Sequence, residues 1–413
     1  MYKVKILPQI ADFYPFYLTN RNQFSCFESM KRTKELCDGF SYEKPFVVPD
    51  RPVEVVPFGF QSIMGQQEVA RVRDHMKTAP FYPAADSTVS ENREFPYVVF
   101  VPAGKEKCDR AIILLHGLNE RNWNKYLVWA EDLVMTCGVP VLLFPMAFHM
   151  NRTPTSWFTP RWLKPWLNRR KQEIMGLCNA SFFNVALSSR LSVDPLRFYS
   201  SGLESAYNLY QLMGDMKHGR HPLFAEGVKV DFFAYSIGAL LAQVVLMADP
   251  CGYAADSALF TFCGGSVFER MNGNSRDIID QEAYEKIRDY YLGNFSQPSQ
   301  MFAAQDQQTG LQFTQAFCKM VPSIDVGCER RPFFTAAKDR IRMVSLRQDT
   351  VIPTVGVQEA VGCDLAGIMT EELDFPYTYS HQTPFPENGK VSDEELELAF
   401  RSVFDRAAAF LTT

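Results

Sequence analysis

The chain has 413 residues, 46% hydrophobic and 22% charged, an ordinary globular composition with apolar material for a large core. Its formal charge of -5 supplies no basic face of the kind that binds nucleic acid, so nucleic acid is not an expected partner. No run reaches the roughly 18 apolar residues that span a bilayer, and MYKVKILPQIADFYPFYL (1–18), broken by Pro8, Asp12 and Pro15, lacks the apolar stretch of an export signal, so the expected location is cytoplasmic.

Residues 1–95 are rich in aromatics and proline. They read as an N-terminal extension packed on the main domain, with an extended run VEVVPF (53–58) and a helix at 65–77. From about 96 the pattern changes, and 96–413 read as one α/β domain. YVVFV (97–101) is a predicted strand. AIILLH (111–116) and VPVLLFP (139–145) are continuous apolar runs, the mark of strands buried on both faces, and a helix lies between them at 120–136. This strand–helix–strand rhythm predicts a mostly parallel sheet with right-handed crossovers and helices on both faces. An insertion at 146–227, with a helix around 201–217, interrupts it. VKVDFFA (228–234) resumes as a strand, SIGALLAQVVLMA (236–248) as a helix and SALFTFC (257–263) as a strand. A second, mostly helical insertion covers 264–340. IRMVSL (341–346) is a strand, 354–361 a short helix, and LDFPYTY (373–379) the last strand, held to an edge by Pro376. The final helix opens on Ser392 and Glu395, a capping-box pair, and runs to about 411.

The ten cysteines form no CxxC pair, so zinc-ribbon and thioredoxin chemistry have no support. They are expected to be reduced and buried, as the apolar neighbours of Cys137, Cys178 and Cys263 suggest. Triplets of the glycosylation type at Asn151, Asn179 and Asn294 are taken as chance in a chain without an export signal.

The residues that carry chemistry are Ala234-Tyr235-Ser236-Ile237-Gly238, where a buried strand gives way to a small-residue helix. A serine on such a turn has its hydroxyl pushed out at the carboxyl edge of the sheet. The residues two before and two after it are forced together, so both must be small. Ala234 stands where the G-x-S-x-G pattern has its first glycine. The turn also aims the helix N-terminus at a reacting carbonyl, so the Ile237 amide can donate to an oxyanion.

His116-Gly117-Leu118-Asn119 ends the strand AIILLH and starts a loop. With this element the chain, over about 97–411 outside its two insertions, resembles the α/β-hydrolase superfamily, whose HG motif follows its third strand. The resemblance implies an α/β-hydrolase fold with helical cap insertions. It also implies a second oxyanion donor at the amide near Leu118, and nucleophile, acid and histidine in that chain order. His381 is the one histidine after Ser236, in a loop beyond the last predicted strand. Asp349, in the loop after IRMVSL, looks like the superfamily's acid. Asp364 and Asp374 are the alternatives, less well placed at a strand end. The implied chemistry is attack by Ser236 on an acyl or ester bond, with His381 as base and Asp349 orienting it.

NRTPTSWFTPRWLKPWLNRRK (151–171) holds Trp157, Trp162 and Trp166, and six basic residues (Arg152, Arg161, Lys164, Arg169, Arg170, Lys171) without an acid. It is expected to cap the Ser236 pocket, with at least one tryptophan lining it. Its cations would meet a carboxylate, a phosphate or an anionic membrane surface in peripheral contact. The expected substrate is a small acyl or ester molecule. A peptidase or amidase of the same fold is one alternative, and a non-catalytic binding protein of that fold is another. No metal or other cofactor is called for. The six histidines form no HxxxH or HxH pair, and His218 and His221 lie in a loop with no carboxylate cluster nearby.

Overall fold

The computed structural model describes residues 29–62, 86–295, 308–325 and 329–413, so the helix expected at 65–77 lies outside the described residues. The strands are β1 (Phe46–Val47), β2 (Val53–Gln61), β3 (Glu94–Pro102), β4 (Cys108–Leu115), β5 (Val141–Leu143), β6 (Phe224–Tyr235), β7 (Leu259–Phe262), β8 (Ile341–Leu346) and β9 (Thr370–Leu373). They form one sheet in the order β1-β2-β3-β5-β4-β6-β7-β8-β9. The pairs β1–β2, β2–β3 and β3–β5 are antiparallel, and every pair from β5 through β4 to β9 is parallel. This is the α/β-hydrolase architecture expected from the sequence, and residues 46–61 contribute β1 and β2 to its sheet.

Alternation along the strands builds two cores. Ala111, Ile113, Leu115, Phe232 and Ala234 face one side. There they meet α5 (Leu196–Lys217), α6 (Ile237–Ala248), α8 (Gln308–Lys319) and α10 (Thr354–Val361). Ile112, Leu114, Phe233 and Tyr235 face the other side, against α1 (Ser29–Gly39), α2 (Asn124–Cys137) and α12 (Asp393–Leu411). Both faces are covered, which is why these strands read as unbroken apolar runs. Ser392 and Glu395 form the expected capping box at the start of α12.

The first insertion carries α3 (Pro160–Glu173), α4 (Val185–Val193) and α5. The second carries α7 (Gln281–Asp289), α8 and α9 (Arg331–Ala337). They are locked to each other by Arg170, whose guanidinium reaches Asp280 at 2.5 Å and Glu282 at 2.6 Å, while Asp280 also caps α7. Replacing one member of so buried a pair costs about 3–5 kcal/mol.

Two expectations need correction. The last strand does not run over 373–379, because β9 ends at Leu373 and is followed by α-free loop rather than strand. Its polar residues, half-exposed at the sheet edge, carry little apolar signal. The apolar Phe375 and Tyr379 are buried in a loop instead. That loop is closed by hydrogen bonds from the Gln348 amide to Tyr379 Oη (3.1 Å) and from Tyr379 Oη to Asp374 (2.8 Å). Not all cysteines are buried either. The eight described ones are free, and Cys178, Cys251 and Cys363 are exposed. Cys178 follows α3 in a surface segment that its apolar neighbours do not betray. A further helix, α11 (Cys363–Met369), follows α10. Among the described residues no helix is long and apolar enough to cross a membrane.

Candidate active site

Four strand ends meet at the carboxyl edge of the sheet, because register sets Leu115 beside Ala234, Ala234 beside Thr261, and Leu346 beside Leu373. The loops after β4, β6, β8 and β9 therefore bring Leu118, Ser236, Asp349 and His381 to one place. Open α/β sheets bind ligands at this edge.

Ser236 has φ 57° and ψ -125°, a backbone state costly for a non-glycine residue and retained here between β6 and α6. The turn is crowded, but the atoms nearest Gly238 belong to Leu115 and His116 and not to Ala234, the neighbour expected from the sequence. A Cβ on Gly238 would lie 2.8 Å from His116 O, and one on Gly264 would lie 2.6 Å from Ala239 Cβ and 2.9 Å from Ser236 O. Ser236 Oγ lies 2.7 Å from His381 Nε2, and His381 Nδ1 lies 2.7 Å from Asp349 Oδ2. The carboxylate is an acceptor, so Nδ1 carries the proton and Nε2 presents its lone pair to the serine hydroxyl. Asp349 Oδ1 accepts from the amides of Val351 (2.8 Å) and Ile352 (2.9 Å), which fixes the carboxylate plane. All three side chains are buried.

The loop after β4 is equally specific in its hydrogen bonds. His116 Nε2 accepts from the Met146 amide at 2.9 Å, so its Nδ1 is the donor to Gly117 O at 2.8 Å. Burial holds this imidazole far below its ordinary pKa, hence neutral, as that double role requires. His116 thus shapes the loop and takes no part in the relay. The Gly117 amide donates to Tyr126 Oη (3.0 Å), which in turn donates to Glu120 (2.9 Å). Among the described residues the amides of Leu118 and Ile237 have no hydrogen-bond partner, and both residues line the cavity that contains Ser236.

That cavity has about 570 Å³ of free space, part of it open to solvent, and is walled by Phe268, Met271, Ile278 and Ile352, with Arg288 as the one charged residue of its described lining. A second cavity, of about 610 Å³, shares Leu118, Phe198 and Ile237 with it. It runs between α5, α6 and α8, past Gly202, Leu240, Val244 and Phe313. None of the three tryptophans lines either cavity, so the expectation for Trp157, Trp162 and Trp166 is corrected. The ring of Trp157 is buried beside Phe148 under the Arg190 guanidinium, 4.1 Å away. Leu163, Leu167 and Arg170 take the inward face of α3, which leaves Trp166 half-buried and Trp162 turned out. Two of the basic residues also serve the interior. Arg152 is fully buried against Asn92, Asn208 and Pro145 O, and Arg170 holds Asp280.

Sequence reasoning passes over Tyr235 and Cys263. The Tyr235 phenol donates to His381 O, its ring stacks on the imidazole at 5.4 Å, and Lys125 Nζ lies 4.6 Å from the centroid of that ring. Burial pushes that phenol well above its ordinary pKa, so it stays a donor. Tyr235 lies inside the five-residue motif, but nothing local marks its partner. The Cys263 sulfur lies with ligand atoms of Asp349 and His381, all within 4.8 Å of one another, and this is the one such group among the described residues. Burial first, and the Asp349 charge second, push its thiol well above its ordinary pKa. A metal needs a thiolate, and Asp349 and His381 already satisfy each other, so this donor set fits hydrogen bonding better than a cation.

The sequence profile of a family described as "Family of unknown function (DUF6051)" matches residues 61–412. No curated protein matches the chain. Among solved structures it is similar to a thermostable esterase from Pseudomonas putida ECU1011, at 10% identity and TM-score 0.41, covering 100% of this chain and 97% of that one. It is similar to vibralactone cyclase at 7% identity and TM-score 0.43, covering 100% and 92%. It is also similar to prolyl oligopeptidase B from Galerina marginata at 9% identity and TM-score 0.42, covering 87% of this chain and 37% of that one.

Proposed function

The chain belongs to the DUF6051 family, and we propose that it is a serine hydrolase that cleaves esters of apolar acids through an acyl-enzyme on Ser236. The single observation that carries this reading is the Ser236–His381–Asp349 relay, two 2.7 Å hydrogen bonds in series beneath a strained serine.

In the reaction His381 Nε2 takes the Ser236 proton as Oγ adds to the substrate carbonyl. Asp349 holds the tautomer and stabilises the imidazolium that forms. The oxyanion lies between the Leu118 and Ile237 amides, whose protons have no other partner to give up. Each such donor contributes about 3 kcal/mol to the transition state. His381 then passes the proton to the leaving alkoxide. Water, activated by the same imidazole, adds to the acyl-enzyme and frees the acid. The second cavity shares the two oxyanion residues and is mainly apolar, with His149, Ser201 and Ser205 among its polar lining, so we assign it the acyl chain. The Ser236 cavity, with Arg288, receives the leaving group. The mainly apolar lining of the two cavities favours an ester over a peptide, which would bring unpaired amide groups into an apolar site.

A fluorophosphonate probe tests the mechanism. The parent protein should be labelled at Ser236, and Ser236→Ala should abolish labelling and turnover of a p-nitrophenyl acylate with circular dichroism unchanged. Undiminished labelling of folded Ser236→Ala would sink the proposal.

A further inference from the structure

We propose that the outer face of α3, with the adjoining Phe182–Phe183 tip, is a docking surface for an anionic lipid bilayer. This rests on the reading of the Ser236 cleft as a site for apolar esters, molecules that concentrate in lipid.

The apolar stripe of α3 is turned inward, so its outer face is basic with one uncovered aromatic. Over Pro160–Glu173 the residues Leu163, Leu167 and Arg170, spaced four and three apart, are turned into the protein. Trp162 is left 54% exposed, and Arg161 stacks its guanidinium 5.1 Å from that ring. None of Arg161, Lys164 and Lys171 makes an ion pair among the described residues, whereas Arg169 is neutralised by Glu173. Beyond the helix Met175 is 99% exposed. Phe183 is 59% and Phe182 37% exposed. Uncovered aromatics beside unpaired cations are expensive to leave in water. They match a surface with an apolar interior and negative headgroups.

The tip and the helix are joined, and both adjoin the reaction site. Arg121 lies between the rings of Phe158, just before α3, and Phe183, at 5.1 and 5.7 Å. It also donates to the carbonyls of Phe182 (2.9 Å) and Phe183. Asn119, next in sequence to the oxyanion residue Leu118, donates to the Phe183 carbonyl at 2.7 Å. A bilayer touching this face would therefore lie at the rim of the Ser236 cleft, not on a remote side of the protein. Because the whole chain carries -5, a negative surface would repel most of the molecule and attract this face, which sets the docking orientation.

Vesicle sedimentation of the full chain tests the surface without relying on catalysis, and the Ser236→Ala protein can be used. Binding to phosphatidylcholine–phosphatidylglycerol vesicles should exceed binding to phosphatidylcholine alone and weaken with salt. Lys164→Gln and Lys171→Gln should each lower the partition coefficient about fivefold, and Trp162→Ser should lower it further. Hydrolysis of a soluble short-chain ester by the lysine variants should match the parent. Equal binding to neutral and anionic vesicles, no sedimentation with either, or lysine variants that bind like the parent would each overturn the docking surface. Loss of soluble ester hydrolysis in the parent would instead overturn the assignment of the Ser236 site.

Discussion

Replacing Asp349 with asparagine isolates the orienting role we propose for the carboxylate, because the surrounding amides leave the new side chain one way to sit. The Oδ1 position receives hydrogen bonds from Val351 and Ile352 at 2.8 and 2.9 Å. An NH2 group placed there would set donors against two buried donors, at about 1–3 kcal/mol for each lost bond. The amide oxygen therefore keeps that position and the NH2 faces His381 Nδ1. Nδ1 must then accept, so the ring proton moves to Nε2, which donates to Ser236 Oγ instead of taking its proton. The wrong tautomer in a serine triad costs about 10⁴ in kcat, or roughly 5.5 kcal/mol of transition-state stabilisation. Asp349 lies behind the imidazole and away from the cavities, so KM for p-nitrophenyl butyrate should change little while kcat falls. Urea unfolding should differ from the parent by less than about 1 kcal/mol, since both backbone bonds survive. A variant with parental stability and kcat within tenfold of the parent would refute the argument.

Three further outcomes are expected. Gly202 lines the second cavity and a Cβ built on it meets nothing within 4 Å. Gly202→Leu should thus fill the cavity and, if it displaces two methylenes at ~0.8 kcal/mol each, lower kcat/KM for long-chain esters about tenfold relative to short ones. An unchanged chain-length profile would contradict the acyl-chain assignment. Gly264→Ala should lose about 1–3 kcal/mol in urea unfolding and slow fluorophosphonate labelling, since its Cβ would collide with Ala239 and the Ser236 backbone; parental stability would count against the close approach. Burial lowers His149 and His221 to about 4. With folded values below the unfolded 6.5, the unfolded chain binds more protons between the two. Stability is then full above pH 6.5 and falls by roughly 3 kcal/mol per histidine as the pH drops toward 4. A urea midpoint that stays constant from about pH 7 to pH 4.5 would show that these imidazoles are not held neutral.

Ser236 is legible in the sequence because the elbow is a local object. A buried strand, a serine between small residues and a helix follow one another within a few residues, and sterics at that turn admit little else. Asp349 and His381 are legible through the chain order that the α/β-hydrolase resemblance implies, and a parallel sheet brings the strand ends they follow to one edge. The strands themselves announce their burial, with IRMVSL matching β8 residue for residue. β9 does not, because an edge strand of threonine and glutamate has no apolar pattern to detect. Trp157, Trp162 and Trp166 are indistinguishable along the chain, yet one is buried under Arg190, one is half-buried and one faces solvent. The same holds for Arg152, which composition counts as a surface cation and which packs at zero exposure among asparagines. Tyr235 acquires its role only when the chain returns 146 residues later to place the His381 carbonyl against it. The second cavity likewise exists only where α5, α6 and α8 converge. Local sterics and alternation act within a few bonds and can be read in order. Which side chain fills a gap, and which gap is left open, depends on segments distant in the chain and is decided by close packing.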